Sequence, residues 1–96
     1  MIVVRGIFQA KYGKGDELVQ LFKEGAAMWP SAGGNRILTD LSGPFFTVVS
    51  EGTYASFSDW EAAAAQTFGQ PGFAAWFERM TQLVESGRRE FYTLVE

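Results

Sequence analysis

The chain has 96 residues and contains neither cysteine nor histidine. Without cysteine there is no disulfide, no thiolate nucleophile and no zinc–thiolate site. Without histidine, Ser-His-Asp and Cys-His arrangements cannot be built, nor can a His-ligated haem or an imidazole zinc site. Any metal would have to be held by carboxylate and carbonyl oxygens alone, and neither a metal site nor a cofactor is expected. Cations are scarce as well. Eight Lys and Arg stand against eleven Asp and Glu, for a net charge of −3, the wrong sign for a phosphate-backbone partner. No apolar run approaches the roughly 18 residues of a membrane span. The N-terminus reads as a strand containing Arg5, without the apolar segment of a signal peptide. The expectation is a cytoplasmic protein with no nucleic-acid and no membrane partner.

Apolar residues are plentiful. They make up 47% of the chain and include nine Phe, three Trp and three Tyr. That is too hydrophobic for a disordered segment. The length fits one domain, residues 1–96, with one core. So heavy an aromatic load invites a rich core, an oligomer interface or a pocket.

Residues 2–10 (IVVRGIFQA) are β-branched and aromatic and predict a strand. After the Gly13-Lys14-Gly15 loop, Asp16 is the expected N-cap of a helix. Leu18, Leu21, Phe22, Gly25, Ala26 and Trp29 form its apolar stripe. Pro30 disfavours helical geometry at Trp29 and ends it. Residues 36–41 and 45–53 predict two strands joined at Ser42-Gly43-Pro44 into a hairpin. Ser58 and Glu61 match a capping box for a helix to Phe68. Gly69 to Gly72 break the chain, with Pro71 suited to the first turn of a new helix. A stripe from Phe73 to Val84 then continues the helix, Gly87 is its expected stop, and residues 88–95 form a last strand.

Taking the two later helices as one broken crossover, the order is βαββαβ, a ferredoxin-like α+β pattern. It predicts a four-stranded antiparallel sheet with the first strand beside the third and fourth. The first strand is apolar on both faces, with Ile2, Val4, Gly6 and Phe8 on one and Val3, Arg5, Ile7 and Gln9 on the other. The third reads likewise, with Phe46 and Val48 on one face and Phe45 and Val49 on the other. Helices can cover only one face, so the second is expected to be covered by another copy of the chain, as a two-fold dimer.

Several residues carry candidate chemistry. Trp29, Trp60 and Trp76 sit on or near apolar helix stripes and could wall an aromatic pocket, or simply pack the core. Tyr54 and Tyr92 are phenols in or at the end of strands, able to orient a polar ligand group. With the third, first and fourth strands side by side, Glu51, Arg5 and Glu90 could meet across the sheet. Glu51 could then serve as a general base beside an anion-binding Arg5, or the charges could form a structural ion network at the dimer interface. The Gly13-Lys14-Gly15 loop imitates a dinucleotide fingerprint, but Leu18 replaces its third glycine and Asp16 and Glu17 would repel a pyrophosphate. The RNA-recognition topology is the same βαββαβ, but the basic aromatic strand signature is missing.

The strand order, the segment Lys11-Tyr12-Gly13-Lys14-Gly15-Asp16-Glu17-Leu18 and the segment Thr53-Tyr54-Ala55-Ser56-Phe57-Ser58-Asp59-Trp60-Glu61 resemble the dimeric α/β-barrel superfamily. Within it, the likeness is to NIPSNAP-like and antibiotic-biosynthesis-monooxygenase-like small proteins. The resemblance implies a homodimer whose two sheets form a barrel, with a pocket between each sheet and its helices. Lacking histidine, the chain cannot supply the proximal ligand of the haem-binding members. It leaves a dimer holding a small, partly apolar or aromatic molecule, walled by Trp29, Tyr54, Trp60 and Trp76. The alternative is a cofactor-independent monooxygenase of an electron-rich, polyphenol-like aromatic, with Glu51 or a tyrosine (Tyr12, Tyr54 or Tyr92) taking the proton and Arg5 stabilising the anion.

Overall fold

The computed structural model describes residues 1–31 and 33–95. Its elements are β1 (Ile2–Ala10), α1 (Gly15–Gly25), a 3-10 turn (Ala26–Met28), β2 (Asn35–Thr39), β3 (Thr47–Tyr54), α2 (Phe57–Phe68), α3 (Phe73–Thr81) and β4 (Val84–Thr93). The strands pair antiparallel in the order β2-β3-β1-β4. The expected placement of β1 between β3 and β4 is what the register shows, with Arg5 opposite both Glu51 and Glu90. The fold is ferredoxin-like α+β.

Alternation along the strands assigns the two faces. Phe8 packs edge-on against Phe22 of α1, with ring centroids 5.2 Å apart. The parity of Val4, Gly6 and Phe8 therefore looks toward the helices. So do their partners Val48, Ser50 and Gly52 on β3 and Gly87, Arg89 and Phe91 on β4. Leu18, Leu21 and Phe22, one stripe of α1, close on Ala10 and Val48 to make the buried core. Each fully buried leucine there contributes roughly 1.5–3 kcal/mol of burial. The opposite face carries Val3, Arg5, Ile7 and Gln9, and among the described residues no helix lies on it.

Local boundaries depart from the sequence reading where side-chain pattern and backbone demand diverge. The first helix leaves α geometry at Gly25, and Trp29 sits beyond the 3-10 turn at φ −120°, ψ 72°, as the residue before Pro30 must. Asp16 is not the cap. It lies with Glu17 in the first turn of α1, behind Lys14, whose side chain makes no capping bond. Ser56, not Ser58, caps α2, its hydroxyl accepting from the Asp59 amide at 3.1 Å. β2 and β3 are shorter than predicted. Asp40 and Thr47 close a longer hairpin loop, the Asp40 amide donating to the Thr47 carbonyl at 3.2 Å and the Thr47 amide to the Asp40 carboxylate at 3.0 Å.

Phe45 and Phe46 consequently lie outside β3, with Phe46 left-handed at φ 60°. Its ring meets Tyr12 at 4.9 Å instead of filling a strand position. Gly87 does not end a helix, because the chain has already turned at Gln82 and entered β4 at Val84. It is an interior strand residue opposite Phe8, and a Cβ there would fall 2.7 Å from Phe8 Cδ1. The apolar stripe that suggested a longer helix was Leu83 and Val84 entering the sheet.

Candidate functional site

A cavity of about 850 Å³ lies between the sheet and the helices. Its floor is the helix-facing parity of the sheet, with Val4, Gly6, Phe8, Ser50 and Gly52 in the lining. The glycines make room for neighbouring side chains: the Phe8 ring lies within 2.9 Å of where a Cβ on Gly6 or Gly87 would stand, and Asn35 Oδ1 lies 2.8 Å from that of Gly52. Aromatic groups form the walls. On one side Trp60 meets Phe91 edge-on at 4.8 Å, and Phe57 joins them at 5.0 Å from Phe91. On the other, Trp29 meets Phe68 at 5.7 Å, Phe73 meets Trp76 at 6.0 Å, and Trp76 stacks on Phe22 at 6.0 Å.

The Trp76 indole is fixed. Its Nε1–H donates to the Leu21 carbonyl at 2.8 Å. It lies so close to α1 that a Cβ on Gly25 would fall 2.4 Å from that nitrogen. The Thr67 hydroxyl donates to the Met28 carbonyl at 2.5 Å and pins α2 to the 3-10 turn. The rim is open to solvent at Phe68 and Phe77, which are 52% and 45% exposed.

Trp29, Tyr54, Trp60 and Trp76 all line this cavity. They include every tryptophan of the chain. Burial raises the Tyr54 phenol above its ordinary pKa. Tyr92, Arg5 and Glu51 are elsewhere. Their parity puts them on the other face of the sheet, and none of them lines the cavity.

On that other face the charges form a chain across all four strands. Glu51 accepts from Arg5 Nε at 2.6 Å and is paired with Arg36 through its second oxygen. Arg5 lies over the Tyr92 ring at 5.2 Å. Tyr92 donates to Glu90, which also accepts from Arg88 Nε at 2.9 Å. Glu51 is 4% exposed, while its partners Arg5 and Arg36 are 44% and 72% exposed. Arginine side chains, more than apolar core, thus shield it. The hydrogen bond from Arg36 leads the effects that hold the Glu51 carboxyl below its ordinary range, and the bond from Arg5 adds to it against the cost of burial. Arg5 is raised in turn, mainly by the same bond to Glu51. Glu90 is lowered by its bonds from Tyr92 and Arg88. These carboxylates are held ionised, the reverse of the raised pKa that suits a general base near neutrality.

Sequence reasoning did not single out Arg89, the fourth strand arginine after Arg5, Arg36 and Arg88, as a site residue. Arg89 is one residue from Arg88 and on the opposite face, lining the cavity with its guanidinium 5.0 Å from the Trp60 ring centroid. The signal was available as alternation: Gly87, Arg89 and Phe91 share a parity, and Arg88, Glu90 and Tyr92 share the other.

No protein-family model matches the sequence, and no curated protein matches it. The fold has clear relatives among solved structures. A NIPSNAP family protein from Agrobacterium tumefaciens superposes with a TM-score of 0.87 at 24% identity, covering 99% of this chain and 93% of the other. An uncharacterised NIPSNAP domain protein from Burkholderia xenovorans gives 0.84 at 20% identity, covering 99% and 95%. SnoaB, a cofactor-independent oxygenase from Streptomyces nogalater, gives 0.72 at 16% identity, covering 99% and 93%. The structural neighbours are thus NIPSNAP domain proteins and antibiotic-biosynthesis-monooxygenase-like proteins. At these identities the likeness establishes the fold.

Proposed function

We propose that this chain forms a homodimer through the helix-free sheet face and holds a small, partly apolar or aromatic molecule in the helix-side cavity. The observation that carries the reading is the cavity itself. Its volume lies in the range of small-molecule sites, and its walls are aromatic with few polar groups. A cofactor-independent oxygenase would need a proton acceptor facing the substrate ring. Glu51 faces away, among the described residues the lining contains no carboxylate, and Tyr54, the phenol in that lining, is pushed further toward its protonated form by burial. The binding reading is therefore the better supported of the two.

The three tryptophans make the test direct. Fluorescence excited at 295 nm reports on groups that all line the cavity. Adding a neutral aromatic probe transparent at that wavelength, 4-phenyl-1-butanol, should shift the emission saturably and raise the melting temperature. An emission spectrum and a melting temperature that stay unchanged up to millimolar probe would overturn the reading.

A further inference from the structure

Three of the chain's eight Lys and Arg residues line the cavity: Lys23, Arg88 and Arg89. No Asp or Glu among the described residues does so, although acids outnumber cations in the chain. Arg88 turns its side chain to Glu90 on the other face. Arg89 has no such partner: among the described residues it makes no ion pair and no side-chain hydrogen bond. Its one contact of note is the Trp60 ring at 5.0 Å. A guanidinium against an aromatic ring satisfies its face and leaves the in-plane N–H donors free.

The sheet register places those donors at the edge of a floor that the Phe8 ring closes over Gly6 and Gly87. Arg89 is opposite Gly6, and Gly6 is opposite Ser50. The Ser50 hydroxyl is about two strand spacings, roughly 9.5 Å, away across that ring, so the head is left to Arg89. Resting on the reading of the cavity as a ligand site, we infer that its ligand is an organic anion. It has an aromatic or apolar body against the tryptophans and a carboxylate-like head beside Trp60, where the free in-plane donors of Arg89 bind it. Planar bidentate pairing of guanidinium with carboxylate suits this geometry.

The test uses a matched pair of probes, 4-phenylbutyrate and 4-phenyl-1-butanol, titrated by calorimetry into the wild type, Arg89→Gln, Arg89→Lys and Arg79→Gln, the last at an exposed arginine paired with Glu24 outside the cavity. A charge-assisted hydrogen bond to the head predicts about tenfold tighter binding of the anion by the wild type. Arg89→Gln should remove that preference while leaving the neutral probe within about twofold. Arg89→Lys should restore part of it, and Arg79→Gln should keep all of it. Equal binding of the two probes by the wild type, or a preference that survives in Arg89→Gln, overturns the inference and leaves the cavity reading standing. Binding of neither probe overturns the cavity reading and the inference with it. Circular dichroism melts of each variant separate a lost contact from a lost fold.

Discussion

Glu51 shows what a single residue's surroundings decide. Two arginines reach it, one from each neighbouring strand, and its folded-state pKa is depressed. An acid depressed by folding contributes stability that is fully present above its unfolded value, about 4.3, and is lost as pH falls through the folded value. Urea melts from pH 7 to pH 3 should therefore show stability falling below about pH 4.5, with a smaller fall in Glu51→Gln. At neutral pH that substitution should cost about 1.5–3 kcal/mol, the range for hydrogen bonds to a charged group. An acid limb of the same steepness in the variant would mean that the Arg36–Glu51–Arg5 chain contributes nothing. The sequence could nominate Glu51, Arg5 and Glu90 as neighbours, because strand order alone brings them together. It could not say whether they faced a cavity, since a one-residue change of register reverses every face.

At the scale of elements, the helices and strands were legible wherever a periodic apolar pattern ran unopposed, as in β1 and α1. The ends were not, because caps and exits depend on which backbone groups lack partners. Ser56 and Ser58 make the point. Both precede the same apolar run, and only Ser56 bonds the exposed amide of Asp59. Ser56→Ala should cost about 1 kcal/mol in chemical denaturation, and Ser58→Ala should fall within about 0.5 kcal/mol of wild type. Reversed costs would restore the cap predicted from sequence. Packing between elements was hidden for a related reason. Gly25 reads as a weak residue in a helix, worth replacing by Ala for about 1 kcal/mol of helix propensity. In the fold it is the gap into which Trp76 docks. Gly25→Ala should therefore lower the melting temperature, and a rise would mean that the Trp76 contact yields easily.

The whole molecule is a slab, with principal extents of 35 × 34 × 18 Å. The short dimension holds one sheet and one layer of helices. A slab has two broad faces, and the helix-free one mixes the charged chain with Val3, Ile7, Leu38 and Val49. The apolar character of both faces of β1 was the part of the assembly argument that the sequence could carry. The proposed homodimer follows from it, and native mass spectrometry checks it. The wild type should weigh twice 10.6 kDa, and Ile7→Asp, placed in the middle of that face, should weigh 10.6 kDa. A wild type that is itself monomeric, or an Ile7→Asp variant that still pairs, would remove this face as the interface.

The alternation in β1 has a further consequence for how this chain can vary. Its nine residues serve two surfaces in turn, Val4, Gly6 and Phe8 for the cavity and Val3, Arg5 and Ile7 for the opposite side. Substitutions at even and odd positions can thus be selected separately, and either surface can drift in chemistry while the other holds. Gain or loss of one residue within the strand has no such freedom, because it would carry Arg5 under the tryptophans and Phe8 out into the charges. Along β1, length is the inherited constant and composition the variable. Insertions and deletions should collect in the hairpin loop between Leu41 and Pro44, short of Phe45 and Phe46, whose carbonyls accept from Gln9 and Ala10 of β1.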